Sequence, residues 1–284
     1  MQTSFAFSVE LLGWYWCQAP IILQPMCFDC KLSRLFVFFT CFLPACLVAG
    51  TVTQWSTIDA LLEGLYDGVA TLGELREAGD FGLGTFHRLD GEMVVLDGTV
   101  YQIDSAGRVH LPDDSLTTPF AAVAFFETDY RIIIPAGSSL KELEALIDEA
   151  APSANYFYGI RINGEFELVR TRSVPLQEKP YPLLIKVVAD QPVFEIKKTT
   201  GTLVGLWCPE FVKGINVTGH HFHYIDDERS SGGHVLAVET ATDMIAEVAI
   251  LRNFNLRLPE LRTFREVSLG TDRSAELEAV ETEQ

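Results

Sequence analysis

Beyond residue 46 the chain has a single cysteine, Cys208; Cys17, Cys27, Cys30, Cys41 and Cys46 all lie ahead of it. No internal disulfide framework can therefore hold the bulk of the chain together. Basic residues are also scarce, with 21 Lys+Arg against 39 Asp+Glu and a net charge of −18. Nucleic-acid binding needs clustered Lys and Arg to displace counterions from phosphates, and anionic membranes attract the same residues. Neither is expected as a partner. Beyond residue 50 there is no internal repeat, no sustained heptad, no Gly-X-Y pattern and no low-complexity linker, which excludes fibrous and coiled-coil classes. What is present is apolar mass: 48% apolar and 11% aromatic residues over 284 positions. That is enough to bury a sizeable core, so a soluble globular protein with a small-molecule or protein partner is expected.

The first fifty residues differ in character from the rest. Lys31 and Arg34 precede the apolar run Leu35–Gly50, which ends in small residues. That is the layout of a secretory signal peptide, and the run falls short of the about 20 residues a membrane span needs. Residues 1–50 are read as a signal-like leader or a mis-called N-terminal extension, with Met26 as an alternative start. Export follows if the segment acts as a signal; otherwise the protein is cytoplasmic. Cys27-Phe28-Asp29-Cys30 is a CxxC without a second pair and carries no metal assignment.

Residues 51–284 read as one catalytic unit, β-rich α+β, with mixed and antiparallel sheets, hairpins and a few short helices. A boundary near residue 172 would separate an N-terminal sheet from a metal-binding C-terminal sheet. Ser56 is placed to cap a helix over Thr57–Asp67, with Ile58, Leu61, Leu62 and Leu65 on one face and Gly68 ending it. Ser139 and Glu142 form a capping box for Leu140–Ala150. Asp97-Gly98 between Met93–Leu96 and Val100–Ile103, and Asn163-Gly164 between Tyr156–Ile162 and Phe166–Arg172, are both hairpin signals. Ala121–Thr128, Tyr130–Ile134 and Val235–Val238 read as strands, and Thr242–Val248 as helix or strand.

Four of the six histidines fall in the stretch from His220 to His234. On a strand, His221 and His223 project from one face, and a turn over Asp226–Gly233 can return His234 beside them. Three nitrogens with a fourth position open are the layout of a catalytic zinc site. His220 points the other way, and His87 and His110 are read as structural or surface residues. Cys208, thirteen residues before His221, is the candidate that would close the site. His223 followed by Glu228 imitates a cupin box, which would make Glu228 a ligand and His234 a bystander in a cupin-type oxygenase or isomerase. A non-catalytic metal-binding β protein is the third reading. Asn216-Val217-Thr218 is a sequon, taken as unused.

Several stretches resemble the α-acetolactate decarboxylase family. They are Gly82–Phe86, Leu89–Met93 with Leu96–Tyr101, Tyr158–Gly164, Thr171–Val174, Gly219–Tyr224 and Gly232–Val235. The resemblance covers nearly all of 51–284 and implies zinc held by His221, His223 and His234. It implies further that Glu92, Arg172 and Thr85 face the site, together with a glutamate near the C-terminus. Glu281 is chosen for that position over Glu276, Glu278 and Glu283. It also implies decarboxylation of a small-molecule 2-hydroxy-3-oxo acid, (S)-2-acetolactate to (R)-acetoin and CO2, by a homodimer with Zn2+ as the only cofactor.

Overall fold

The structure is a computed structural model that describes residues 50–281. Apart from Gly50, the leader reading, Cys27 and Cys30 lie outside the described residues, as does Glu283. In chain order the strands are β1 Thr51–Trp55, β2 Ala70–Thr71, β3 Phe81–Thr85, β4 Glu92–Leu96, β5 Thr99–Ile103, β6 Val109–His110, β7 Thr117–Thr118 and β8 Ala121–Ala124. They continue as β9 Tyr130–Ile134, β10 Phe157–Arg172, β11 Val193–Cys208, β12 Gly219–Asp226, β13 Gly232–Thr240, β14 Met244–Leu251 and β15 Asn253–Arg257. The helices are α1 Ile58–Leu62, α2 Leu72–Ala78, α3 Leu140–Ala150, α4 Leu184–Val188, α5 Arg262–Glu266 and α6 Ser274–Glu281. None of the described helices is long and apolar enough to cross a membrane.

Seven strands form one sheet in the order β15-β1-β8-β3-β4-β5-β6, six form a second in the order β11-β12-β13-β10-β14-β9, and β2 and β7 form a separate pair. The pairing of β1 with β15 is parallel and the remaining ladders are antiparallel, so the fold is the β-rich α+β type that the patterning predicts. The expected division near residue 172 does not separate the sheets. β9 and β10 precede it yet belong to the second sheet, while β15, from the C-terminal end, joins the first.

The two Asx-Gly signals have different outcomes. At Asp97-Gly98 both residues adopt positive φ (50° and 75°), and Leu96 faces Thr99 across a two-residue turn, as that dipeptide favours. At Asn163-Gly164 there is no turn. β10 runs straight through, with Asn163 opposite Thr202 and Gly164 opposite Gly201 in one unbroken ladder with β11. On its other edge, β10 pairs with β14 up to Asn163 and with β13 from Phe166 onward. The dipeptide marks a change of partner, and long-range pairing on both edges outweighs the local turn preference.

The helices follow a similar logic. Ser139 and Glu142 form the predicted box at the start of α3. The first helix is capped by Thr57, whose hydroxyl accepts from Ala60 N; Ser56 sits at φ 63° and lies outside it. It also stops at Leu62, short of the predicted Asp67, because Gly64 turns the chain at φ 80°. Of Thr242–Val248, the part from Met244 onward resolves as strand, at the start of β14.

The sheets face one another through Phe81, Val94, Leu96 and Ile103 of the first and Val204 and Ile225 of the second. β4 is buried along its whole length because α2 covers its other face with Leu72 and Leu75. Behind the histidine strands, Phe166 packs edge-on against Tyr224 with ring centroids 5.6 Å apart, both fully enclosed. Phe166→Ala is expected to lower stability by about 3–5 kcal/mol, read as a fall in the urea midpoint at unchanged slope. A loss below about 1 kcal/mol would show that this layer does not support the histidine strands.

Candidate metal centre

The turn between β12 and β13 is built by one carboxylate. Asp226 accepts from the backbone N–H groups of Ser230 (2.7 Å) and Ser231 (3.1 Å) and from both their hydroxyls. The return places His223 directly opposite His234, with His221 two residues along the same face of β12. A side chain at Gly233 would collide with the carbonyl of Arg172, so the Gly-Gly pair lets β13 press against the end of β10.

The three rings converge. His221 Nε2 lies 3.2 Å from His223 Nε2 and 3.1 Å from His234 Nδ1. Two nitrogens on a tetrahedral zinc, each about 2.0–2.1 Å from the ion, stand roughly 3.3 Å apart, so the spacing suits such an ion. Tautomers are set from outside the cluster. His223 Nδ1 donates to the carbonyl of Met93 on β4 (2.7 Å), which turns its Nε2 lone pair inward. His234 Nε2 faces the carbonyl of Glu281 at 3.4 Å, which leaves Nδ1 for the centre. Burial pushes all three imidazoles down, His221 to about 3 and the others well below the usual histidine range, with the Arg172 charge adding to the effect. They are neutral at physiological pH, the state a metal requires. The three could together hold a metal ion.

Two carboxyls and a guanidinium surround them. Glu92 Oε2 is 3.6 Å from His223 Nε2, and Glu281 Oε2 is 3.7 Å from His221 Nε2. Burial raises both carboxyls to about 7; for Glu92 the nearby Arg172 opposes the rise and Glu281 adds to it. Arg172, opposite His234 at the end of β10, is 4% exposed. Its Nη1 donates to Gln191 Oε1 at 2.8 Å, while its Nε is buried without a partner among the described residues. Thr85 faces Glu92 in the ladder and gives its hydroxyl proton to the carbonyl of Gly91 (2.7 Å). All of these side chains line one inner pocket with an apolar wall that includes Ile58, Leu89, Phe120 and Val280. A larger cleft of about 870 Å³ reaches His221, His234 and Glu281 from the other side of α6.

The other candidates lie elsewhere. Glu228 is exposed in the Asp226–Ser231 turn and outside the converging group, against the cupin arrangement. Cys208 is buried in a separate apolar cluster with Leu206 and Leu251, its thiol pushed up to about 12, and it does not close the site. His220 packs between Trp207 and Phe222 and meets Asp148 at 2.9 Å. His87 Nδ1 accepts from Gly68 N, and His110 pairs with Asp104 at the surface. Asn216 is 2% exposed and donates to Gln54, so the sequon is not presented to solvent. Among the alternatives to Glu281, Glu276 pairs with Arg273 and Glu278 lines the outer cleft. Sequence reasoning missed Gln191, which sits in an irregular segment without a motif, and Met93, whose contribution is a backbone carbonyl that no side chain advertises.

Fold and site together define a β-rich enzyme with a buried three-histidine centre flanked by carboxyls and a guanidinium. The Alpha-acetolactate decarboxylase family profile matches residues 52–271. An alpha-acetolactate decarboxylase of Methanosarcina mazei is 46% identical over 228 residues, 80% of this chain and 79% of its own. That of Bacillus licheniformis is 41% identical over 231 residues, 81% of this chain and 91% of its own. The crystal structure of alpha-acetolactate decarboxylase from Bacillus subtilis strain 168 superposes with a TM-score of 0.79 at 39% identity, covering 82% of this chain and 100% of the other. The chain belongs to the alpha-acetolactate decarboxylase family.

Replacing His221, His223 or His234 by Ala should each abolish stoichiometric metal in the purified protein, measured by mass spectrometry, while Glu228→Ala retains it. Retention in the histidine variants would refute the centre. Asp226 is held below the usual carboxylate range: burial opposes the shift, and the Ser230 and Ser231 hydrogen bonds together outweigh it. A lowered carboxyl contributes stability that is present above the unfolded value of about 4 and lost as pH falls through the folded one. Asp226→Asn should therefore cost about 1–3 kcal/mol at pH 7 and flatten the acid side of the stability profile. An acid limb identical to that of the wild type would exclude this role.

Proposed function

We propose that the chain decarboxylates (S)-2-acetolactate to (R)-acetoin and CO2, with Zn2+ resident on His221, His223 and His234. The observation that carries this reading is the burial of three neutral imidazoles, two carboxyls and one guanidinium around a single pocket. The donor set fits the ion, because three nitrogen ligands leave a position for substrate oxygens. Zinc bound there supplies Lewis-acid stabilisation of the charge left on the substrate, worth several kcal/mol.

The remaining work falls to the chain's own residues. Arg172 carries a planar fork matched to the departing carboxylate, and its bond to Gln191 fixes the fork's orientation. As the bond to the carboxyl carbon breaks, its electron pair moves into the adjoining ketone and CO2 leaves an enediolate. One proton must then replace the carboxylate on carbon. Glu92 and Glu281, raised to about 7 chiefly by burial, can hold that proton at neutral pH. They approach different histidines, which separates the group that holds the tertiary hydroxyl from the group that protonates carbon. A proton delivered from one side of an enclosed pocket fixes the product's handedness. Thr85, its proton committed to Gly91, holds the turn that leads into Glu92. A homodimeric assembly belongs to the same reading through the family resemblance, and export through the residue 31–50 pattern.

With metal loaded, the protein is expected to release acetoin from racemic acetolactate above the spontaneous background. Arg172→Ala should keep its metal and lose roughly 100-fold or more in turnover. Loss of metal in that variant would make Arg172 structural, and no acetoin from the loaded wild type would remove the decarboxylase reading.

A further inference from the structure

We propose that α6 is a movable cover over the inner pocket and that Arg273 is the positioning residue that seats it, thereby setting where Glu281 stands against the histidines. The proposal rests on the decarboxylase reading for the role given to Glu281. With α6 in place the inner pocket offers only about 40 Å³ of free space, room for a few waters at roughly 10–15 Å³ each on the same measure. A 2-hydroxy-3-oxo acid is several times larger, so one wall has to move to admit it.

The strand walls are poor candidates. β3, β4, β10, β12 and β13 each have ladder partners on both edges. α6 is attached differently. Val280 and Glu281 line the inner pocket, whereas Leu277, Glu278 and Glu281 line the 870 Å³ cleft, so the helix is the partition between the two spaces. Its apolar seat consists of Val280 and the partly buried Leu277, packed in the cluster that contains Leu184 and Val187. Ahead of it, residues 268–272 carry no regular structure and are mostly exposed, with open space around Gly270. A segment with few buried contacts and an exposed backbone opens at low cost.

One buried side chain opposes that opening. Arg273, directly before α6 and 13% exposed, joins Glu63 at the end of α1 to Glu276 of α6 (2.9 Å). The neighbouring Lys213–Asp272 pair, 3.0 Å long, is half exposed or more on each side chain and contributes little. Removing the Arg273 guanidinium takes away the charged tie between α6 and α1, leaving Leu277, Val280 and Glu281 among the residues that still hold the helix in place. The open form then gains population, and the fraction of molecules with Glu281 in place falls.

Hydrogen–deuterium exchange on the full-length, metal-loaded protein tests this, alongside steady-state kinetics. Arg273→Ala should speed amide exchange in residues 274–281 by about tenfold or more while leaving β12, β13 and metal content unchanged. Its kcat should fall roughly 10- to 100-fold with little change in KM, Arg273→Lys should restore most of the loss, and Glu63→Gln should reproduce it. In a Glu281→Gln background, Arg273→Ala should add no further loss. Unchanged exchange in α6, faster exchange throughout β12 and β13, or an additive loss beside Glu281→Gln would each overturn the proposal. Glu63→Gln carries the comparison should Arg273→Ala not fold. A loaded wild type that makes no acetoin refutes the decarboxylase reading alone, since the exchange result still decides how α6 is seated.

Discussion

His221 Nε2 stands 3.2 Å from His223 Nε2 and 3.1 Å from His234 Nδ1, a crowding of ring nitrogens that a cation among them would relieve. The rest of the site is arranged around holding that contact. The register of β12 against β13 sets His223 opposite His234, and the carbonyl of Met93, from the other sheet, fixes the ring of His223. The three-histidine cluster thus depends on the packing of one sheet against the other as well as on its own hairpin. That dependence gives a physical reason for the depth of burial around β4, which supplies both Met93 and Glu92.

Burial has a chemical consequence. Taking carboxyls and a guanidinium out of water is costly unless their charges find partners. Here the carboxyls answer by rising toward neutrality, and the imidazoles by shedding their protons. A pocket of neutral imidazoles and carboxyls raised to about 7 around one arginine suits an anionic substrate that loses its charge as CO2.

How much of this was legible in the sequence depends on the range of the forces concerned. The capping box at Ser139 and the turn at Asp97-Gly98 are local, and both stand in the structure. The histidine trio was legible because strand periodicity places His221 and His223 on one face and a turn-rich stretch returns His234. The misplaced hairpin at Asn163-Gly164 and the sheet boundary near residue 172 failed together, for one reason. β10 is a long strand whose partners come from residues 193–251, and no local preference encodes that pairing. The position of Glu281 beside the histidines likewise depends on a helix docking across the chain; the family resemblance supplied its candidacy and periodicity did not.

The most direct test is the visible absorption of the protein loaded with Co2+. Bands of a nitrogen-bound cobalt ion should appear at one equivalent per chain and shift when acetoin, or a diol that mimics the enediolate, is added. Absence of those bands, or bands that saturating ligand leaves unmoved, would contradict a three-histidine centre open to substrate.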